Sequence, residues 1–296
     1  MTDDRISANG IIVKALSGFY YVDTGTEVLE CRARGKFKKN KFSPLVGDRV
    51  QISLAELTPV VTEVFQRDNV FDRPPVANIG QFVIVSALKD PEPNLFVMDK
   101  FLVNAEANNI PVLLCFNKVD LVEAYVTENI KRIYGEIYPL IFTQATVSAE
   151  VKALLPYLKD GVSAFVGPSG VGKSTLINAI RHEHSAVTGD ISEKNRRGRN
   201  TTRHVEIFAV DEGGMLFDTP GFTSFDVPDV EEADLGYMFP EFVPYIRNCR
   251  FNGCKHIKEP DCAVKSAVIE GGITRERYES YCSQIKEIRE RKKNKY

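Results

Sequence analysis

Two short motifs occur in an order that few folds accommodate. Asn117-Lys118-Val119-Asp120 comes about 50 residues ahead of Gly167-Pro168-Ser169-Gly170-Val171-Gly172-Lys173-Ser174. The second reads as a phosphate-binding loop, because it follows the apolar run Ser163 to Val166 and leads through Thr175 into a stretch, to Ile180, of helical character. Glycines there let backbone N–H groups curl around phosphates at a helix N-terminus, where the dipole favours negative charge. Lys173 is expected to reach the outer phosphates and the Ser174 hydroxyl to ligate Mg2+. The first motif follows another buried-type run, Val112 to Phe116. A carboxylate at Asp120 can accept from the N1–H and 2-amino group of guanine, which adenine does not offer, while the Lys118 stem covers the ring. Ser148-Ala149, after Leu140 to Phe142, reads as a second small base-contacting loop. Together these predict GTP rather than ATP, bound by a chain that visits the base before the phosphates. Guanine nucleotide-binding proteins ordinarily run the other way.

Two further segments complete the expected site. Asp218-Thr219-Pro220-Gly221 follows the apolar run Met215 to Phe217, so Asp218 is suited to hold Mg2+ through water and the Gly221 amide to face the terminal phosphate. Between the phosphate loop and Asp218 lies the polar stretch 196–204, which contains Asn200, Thr201 and Thr202. One threonine, with Thr202 preferred, is expected to ligate Mg2+ only when the terminal phosphate is present, giving an ordered and a released state. Phe222 and Thr223 follow Gly221, and a Phe cannot orient water, so the water-positioning group must come from elsewhere.

The chain has 296 residues, enough for two or three domains, and a formal net charge of -2, which demands no polyanionic partner for the whole chain. Its acidic start, Met1-Thr2-Asp3-Asp4, leads to no apolar signal-like run, and no stretch approaches the ~20 apolar residues of a membrane span. A soluble, cytoplasmic protein is expected. Of the six cysteines, Cys31, Cys115 and Cys282 are scattered, whereas Cys249, Cys254 and Cys262 gather around His256 in the spacing Cys-x4-Cys-x-His-x5-Cys. Three thiolates and one imidazole close a tetrahedral shell with no open position, which points to one structural Zn2+ rather than to disulfides or a catalytic metal.

Ahead of the motifs, Ile11 to Val13, Phe19 to Val22, Val28 to Arg32, Asp48 to Ile52 and Val60 to Val64 read as short strands punctuated by glycine turns, the pattern of a small barrel. Between Cys31 and Gly47 lie Arg32, Arg34, Lys36, Lys38, Lys39 and Lys41 with Phe37 and Phe42 interleaved and no acidic residue. This is either a loop for phosphates and stacked bases or a solvated loop whose rings return to the core. Asp72-Arg73-Pro74-Pro75 reads as a break in regular structure and a boundary. Beyond it, apolar runs alternate with helical stretches such as Met98 to Asn108 and Glu128 to Tyr134, as in a parallel sheet covered by helices on both faces. A final helical pattern spans Arg275 to Arg291, and the last twelve residues hold Lys286, Arg289, Arg291, Lys292, Lys293 and Lys295 against Glu287 and Glu290. Such a tail reads as a frayed end, with RNA contact the lesser reading.

The whole series resembles the YjeQ/RsgA family of circularly permuted GTPases: guanine motif, Ser148-Ala149, phosphate loop, Thr-Thr switch and Asp-Thr-Pro-Gly, with a barrel ahead and the Cys/His cluster behind. The resemblance implies an α/β chain in which a circularly permuted P-loop GTPase domain, residues 73–227, is flanked by two others. One is an N-terminal all-β OB-fold RNA-binding barrel, residues 1–72. The other is a C-terminal mostly helical zinc-binding domain, residues 228–296. It implies a monomer that uses GTP/GDP and Mg2+ and acts on the maturing small ribosomal subunit through its rRNA, with neither DNA nor membrane as partner. The family has a His just before the two threonines, credited with positioning water; Asn200 stands there in this chain. A nucleotide-regulated RNA-binding scaffold without turnover is the rival reading, and a metabolic P-loop kinase a third. Because the guanine motif comes first, the segment after Asp218 leads directly towards the Cys/His region, so nucleotide state is expected to pull on it.

Overall fold

The computed structural model describes residues 7–35, 37, 42–158, 160–188, 205–210, 213–218, 223 and 225–294, without the side chains of 183–188. Its contacts divide the chain into two units. One comprises Met1–Gln81, Lys152–Phe165 and Ile177–Phe222; the other comprises Phe82–Val151, Val166–Leu176 and Thr223–Tyr296.

The first unit begins with five strands, β1 (Ser7–Leu16), β2 (Phe19–Asp23), β3 (Val28–Ala33), β4 (Arg49–Ser53) and β5 (Val60–Val64). Their order β1-β2-β3-β5-β4 is closed by pairing of β1 with β4, so no edge is left in the ring. Alternation turns Ile12, Val22, Cys31, Val50, Ile52 and Val61 inward, and none of these retains exposure. Asp48 is also wholly buried, and it is neutralised by Arg67, whose Nε and Nη2 donate to its two carboxylate oxygens at 2.7 and 2.8 Å. Phe37 is buried and Phe42 half-exposed, with the Arg67 guanidinium 4.6 Å from the Phe42 centroid. One ring of the basic loop thus returns to the core; Lys36, Lys38, Lys39 and Lys41 lie outside the described residues.

Asp72-Arg73-Pro74-Pro75 is not a break. It turns a hairpin between β6 (Val70–Asp72) and β7 (Pro75–Ala77), and Val76 bridges to Val46 next to the barrel. The second unit then carries β8 (Gln81–Ala87), β9 (Val112–Asn117) and β10 (Leu140–Thr143), three parallel strands in the order β10-β9-β8. Helices α1 (Leu95–Ala107) and α2 (Ala124–Tyr134) alternate with them, as the parallel connection requires. Asn94 caps α1, its side chain accepting from the Val97 N–H at 3.1 Å. A short helix, α3 (Ser148–Lys152), follows β10.

The strand β11 (Val162–Val166) precedes the phosphate loop and helix α4 (Lys173–Thr188). Within the first unit β11 runs parallel to β13 (Met215–Asp218), which pairs antiparallel with β12 (Glu206–Ala209). The antiparallel β12 is a departure from the all-parallel expectation. It also pairs with barrel strand β1 at Lys14↔Glu206, where the two side chains form a salt bridge of 3.3 Å.

The C-terminal region holds α5 (Val243–Ile246), α6 (Ala263–Glu270) and α7 (Arg275–Asn294). The tail expected to fray is a docked helix: Ile285 and Ile288 are buried, Arg289 pairs with Glu232 at 2.8 Å and Lys292 with Glu231 at 2.6 Å. No helix among the described residues is long and apolar enough to cross a membrane.

Candidate nucleotide and metal sites

The phosphate loop leaves β11 at Gly167, whose φ is +140° and where a Cβ would lie 2.2 Å from the Val85 carbonyl oxygen. At Gly172, φ +103°, a Cβ would meet the Asn117 side-chain nitrogen at 2.2 Å. Both positions therefore exclude any side chain. Lys173 opens α4 and folds back on the loop, donating to the Gly167 and Pro168 carbonyls at 2.6 and 2.5 Å. Burial brings its ammonium down from the usual lysine range to about 8.

Asn117 is buried and its carboxamide joins three segments. Its Nδ2 donates to the Val171 carbonyl at 2.9 Å, while its Oδ1 accepts from Thr143 Oγ1 at 3.2 Å and from the Ala145 N–H at 3.0 Å. The asparagine thus holds the phosphate loop and the loop after β10 in fixed register with the base motif. Lys118 has φ +63° and its Nζ donates to the Gly170 carbonyl at 3.1 Å and to the Asp90 carbonyl. Asp120 lies exposed in the single turn Val119–Leu121.

Ser148 and Ala149 are exposed and begin α3. The loop tied to Asn117 is instead Thr143 to Ala145, nearer the end of β10, so Thr143 and Ala145 are members of the network that sequence reasoning missed. The usable signal was position: Thr143 to Ala145 stands directly at the carboxyl end of β10, beside the end of β9 that carries Asn117. Asp218 ends β13, and its Oδ2 accepts from Arg181 Nη2 at 2.9 Å. Asn200, Thr201, Thr202 and Gly221 lie outside the described residues.

Cys249, Cys254, His256 and Cys262 form one cluster, their ligand atoms all within 4.8 Å of one another. Cys249 Sγ lies 3.5 Å from His256 Nδ1 and 3.9 Å from Cys262 Sγ, and His256 Nδ1 lies 3.3 Å from Cys262 Sγ. Zn–S bonds of about 2.3 Å give tetrahedral edges of about 3.8 Å, so the donor set fits zinc. Burial holds the His256 imidazole below its usual value, in the neutral form that ligates, and pushes the Cys254 and Cys262 thiols up, so that metal binding must displace their protons. Two tyrosines of α7 hold the ligand loop by its backbone: Tyr278 Oη donates to the His256 carbonyl at 2.7 Å and Tyr281 Oη to the Lys255 carbonyl at 2.9 Å.

Comparison with known proteins agrees with this geometry. The family model "RsgA GTPase" matches residues 64–228, and "RsgA N-terminal domain" matches 9–59. The small ribosomal subunit biogenesis GTPase RsgA of Caldanaerobacter subterraneus is 46% identical over 289 residues, covering 97% of this chain and 98% of that relative. The protein of the same name from Clostridium botulinum is 43% identical over 294 residues, covering 97% and 99%. Among solved structures, YjeQ from Thermotoga maritima superposes with a TM-score of 0.84 at 34% identity, covering 96% of this chain and 99% of that one. YloQ, described as a circularly permuted GTPase, gives 0.82 at 38% identity, covering 98% of each. A barrel followed by an α/β core that meets its base motif before its phosphate loop, with a Cys3His cluster behind, matched end to end at this identity, places the chain in the RsgA family of GTPases.

Proposed function

We propose that the protein hydrolyses GTP during late maturation of the small ribosomal subunit, docking in its GTP state and loosening on hydrolysis. The observation that carries this reading is the Asn117 network. It ties Val171 of the phosphate loop to the base motif and to Ala145, as one nucleotide needs when the chain supplies its base pocket first. Asp120 would select guanine, the Gly167-to-Ser174 loop with Thr175 would cradle the phosphates, and Lys173 would release the Gly167 and Pro168 carbonyls to meet them. Thr143 to Ala145 supports the base pocket, with Ser148 and Ala149 at its outer margin.

Ser174, Thr202 and Asp218 would hold Mg2+, and the fit rests on Asp218, a half-buried carboxylate already engaged with a cationic donor. When bound, Mg2+ supplies neutralisation of the charge that builds on the transferred phosphoryl group. Gly221 and Thr201 belong to the same phosphate-sensing segments. Asn200 stands where a water-positioning residue is expected and can orient a water without accepting its proton. One Zn2+ on Cys249, Cys254, His256 and Cys262 would be purely structural, since four protein ligands leave no open position. The barrel (1–72) and the zinc region (228–296), which flank the GTPase domain (73–227) in sequence, would each meet rRNA.

Measured GTP hydrolysis without ribosomes, with small subunits and with large subunits tests the reading. Small subunits alone should accelerate turnover. Equal rates in all three would favour the RNA-binding scaffold. Asp120→Asn should move preference from GTP towards xanthosine triphosphate, and an unchanged preference would remove Asp120 from the base pocket.

A further inference from the structure

Arg181 lies two turns into α4 beyond the phosphate loop and does what the nucleotide motifs do not require of it. Its Nη2 donates to Asp218 Oδ2 at 2.9 Å, and its guanidinium carbon stands 4.2 Å from the centroid of Phe208. Phe208 is on β12, paired with Leu216 of β13, so one guanidinium touches both strands that flank the two phosphate-sensing segments, 189–204 and 219–222. Ring and guanidinium at this distance form a cation–π contact, which fixes the plane of the fork before it meets the carboxylate. Both members of the ion pair are about two-thirds buried, at 30% and 28% side-chain exposure, so the pair is screened less than one in open solvent.

We propose that Arg181 is a positioning residue that competes with Mg2+ for the Asp218 carboxylate and thereby sets how firmly the metal, and with it GDP, is held. A carboxylate that shares its charge with a seated guanidinium attracts a second cation, or a cation's bound water, less strongly. The chain would in this way carry its own means of loosening the metal. The inference rests on the magnesium-dependent GTPase reading above.

The test is release of a fluorescent N-methylanthraniloyl-GDP from the full chain, followed from EDTA through rising Mg2+. Arg181→Gln should lower the Mg2+ concentration at half-maximal slowing by about three- to fivefold, the scale of a partly exposed ion pair. Release in EDTA should be unchanged. Arg181→Lys, which keeps the charge but not the planar fork seated on Phe208, should shift the midpoint in the same direction by less than Arg181→Gln. Phe208→Leu removes the seat and should shift the midpoint in the same direction as Arg181→Gln, by less; it decides the matter if the glutamine variant does not fold. An unmoved midpoint in a folded variant, or an equal change in EDTA and in Mg2+, overturns the role. Failure of the parent protein to bind the labelled GDP would instead overturn the nucleotide reading itself.

Discussion

The two ends of the chain are attached to the nucleotide machinery in different ways. The metal-binding region shares one unit with the base motif and the phosphate loop, and the centre of its joint to that half is buried. Arg277 of α7, with no exposure, pairs with Asp99 of α1 at 2.5 Å and with Glu241 at 2.7 Å, while Tyr134 of α2 donates to the same Asp99 at 3.0 Å. Val103 of α1 belongs to the apolar cluster that contains Phe239, Phe242, Cys254 and Cys262, and Asn104 donates to the Asp226 carbonyl. The barrel shares its unit with β12 and β13: among the described residues β1 pairs with β12 at Lys14↔Glu206, whose bridge is part-exposed, and the buried Phe217 of β13 lies against Gly47 beside β4. A buried, multiply bonded joint favours a fixed relation; a short edge pairing is opened at low cost. The expectation that nucleotide state pulls directly on the metal region therefore meets a counterweight. That region is built onto the half that carries Asn117 to Asp120, whereas the barrel is joined to the strands beside residues 189–204 and 219–222.

The strongest way to break the comparison is to remove the metal. Cys254→Ser should abolish stoichiometric zinc in elemental analysis and lower the melting temperature by more than about 10 °C, since structural zinc contributes folding energy outright. Hydrogen exchange should rise over α6 and α7 while β1 to β5 stay protected; equal loss in the barrel would dissolve the distinction between the two units. Next comes the joint itself. Arg277→Ala leaves Asp99 and Glu241 without their cation and should cost about 3–5 kcal/mol in denaturant unfolding, with nucleotide affinity falling in parallel because α1 belongs to the same unit.

A third test separates the nucleotide loops from both attachments. Lys173 titrates near 8 in the folded protein, and a bound phosphate would raise that value, so above pH 8 binding must take up a proton. Triphosphate affinity should fall about tenfold between pH 7 and pH 9. Lys173→Arg, which does not titrate there, should show a flat profile; the same slope in both proteins would assign the effect elsewhere. For folding alone the sign is opposite. The lowered value means that the unfolded chain binds the proton more tightly between about 8 and 10.5, so this lysine destabilises the fold below pH 8 and that burden lifts as pH rises.

Much of this was legible because the signals are local. The five barrel strands follow from short alternation between glycine turns, and Val60–Val64 has the bounds read from sequence. The metal ligands are legible because their spacing is itself the geometry. What was not legible lies in long-range pairings. Strand β12 has four residues, and its partner residue Lys14 is 192 positions from Glu206, so nothing near either announces the other. The basic tail misled for a related reason: the acids that answer it, Glu231 and Glu232, lie 61 and 57 positions away from Lys292 and Arg289. The tie from Asn117 to Ala145 was not legible because it is made to a backbone N–H, which any residue but proline supplies, so no side chain there announces it.

The smallest expected effect tests the weaker attachment. Lys14 and Glu206 are 33% and 43% exposed at a separation of 3.3 Å, so either Lys14→Ala or Glu206→Ala should cost less than about 1 kcal/mol, and less again in high salt. Exchanging the two charges, with Lys14→Glu and Glu206→Lys together, should recover most of the loss, because the residues stand opposite each other in the antiparallel register. Thermal melts of the four proteins at low and high salt measure the coupling. Since the pair sits where the barrel meets the strand leaving residues 189–204, removing it should raise hydrogen exchange in β1 and β12 well before it lowers the melting temperature. A loss as large as that of Arg277→Ala would mean that the barrel is held as firmly as the metal region, and the difference between the two attachments would be gone.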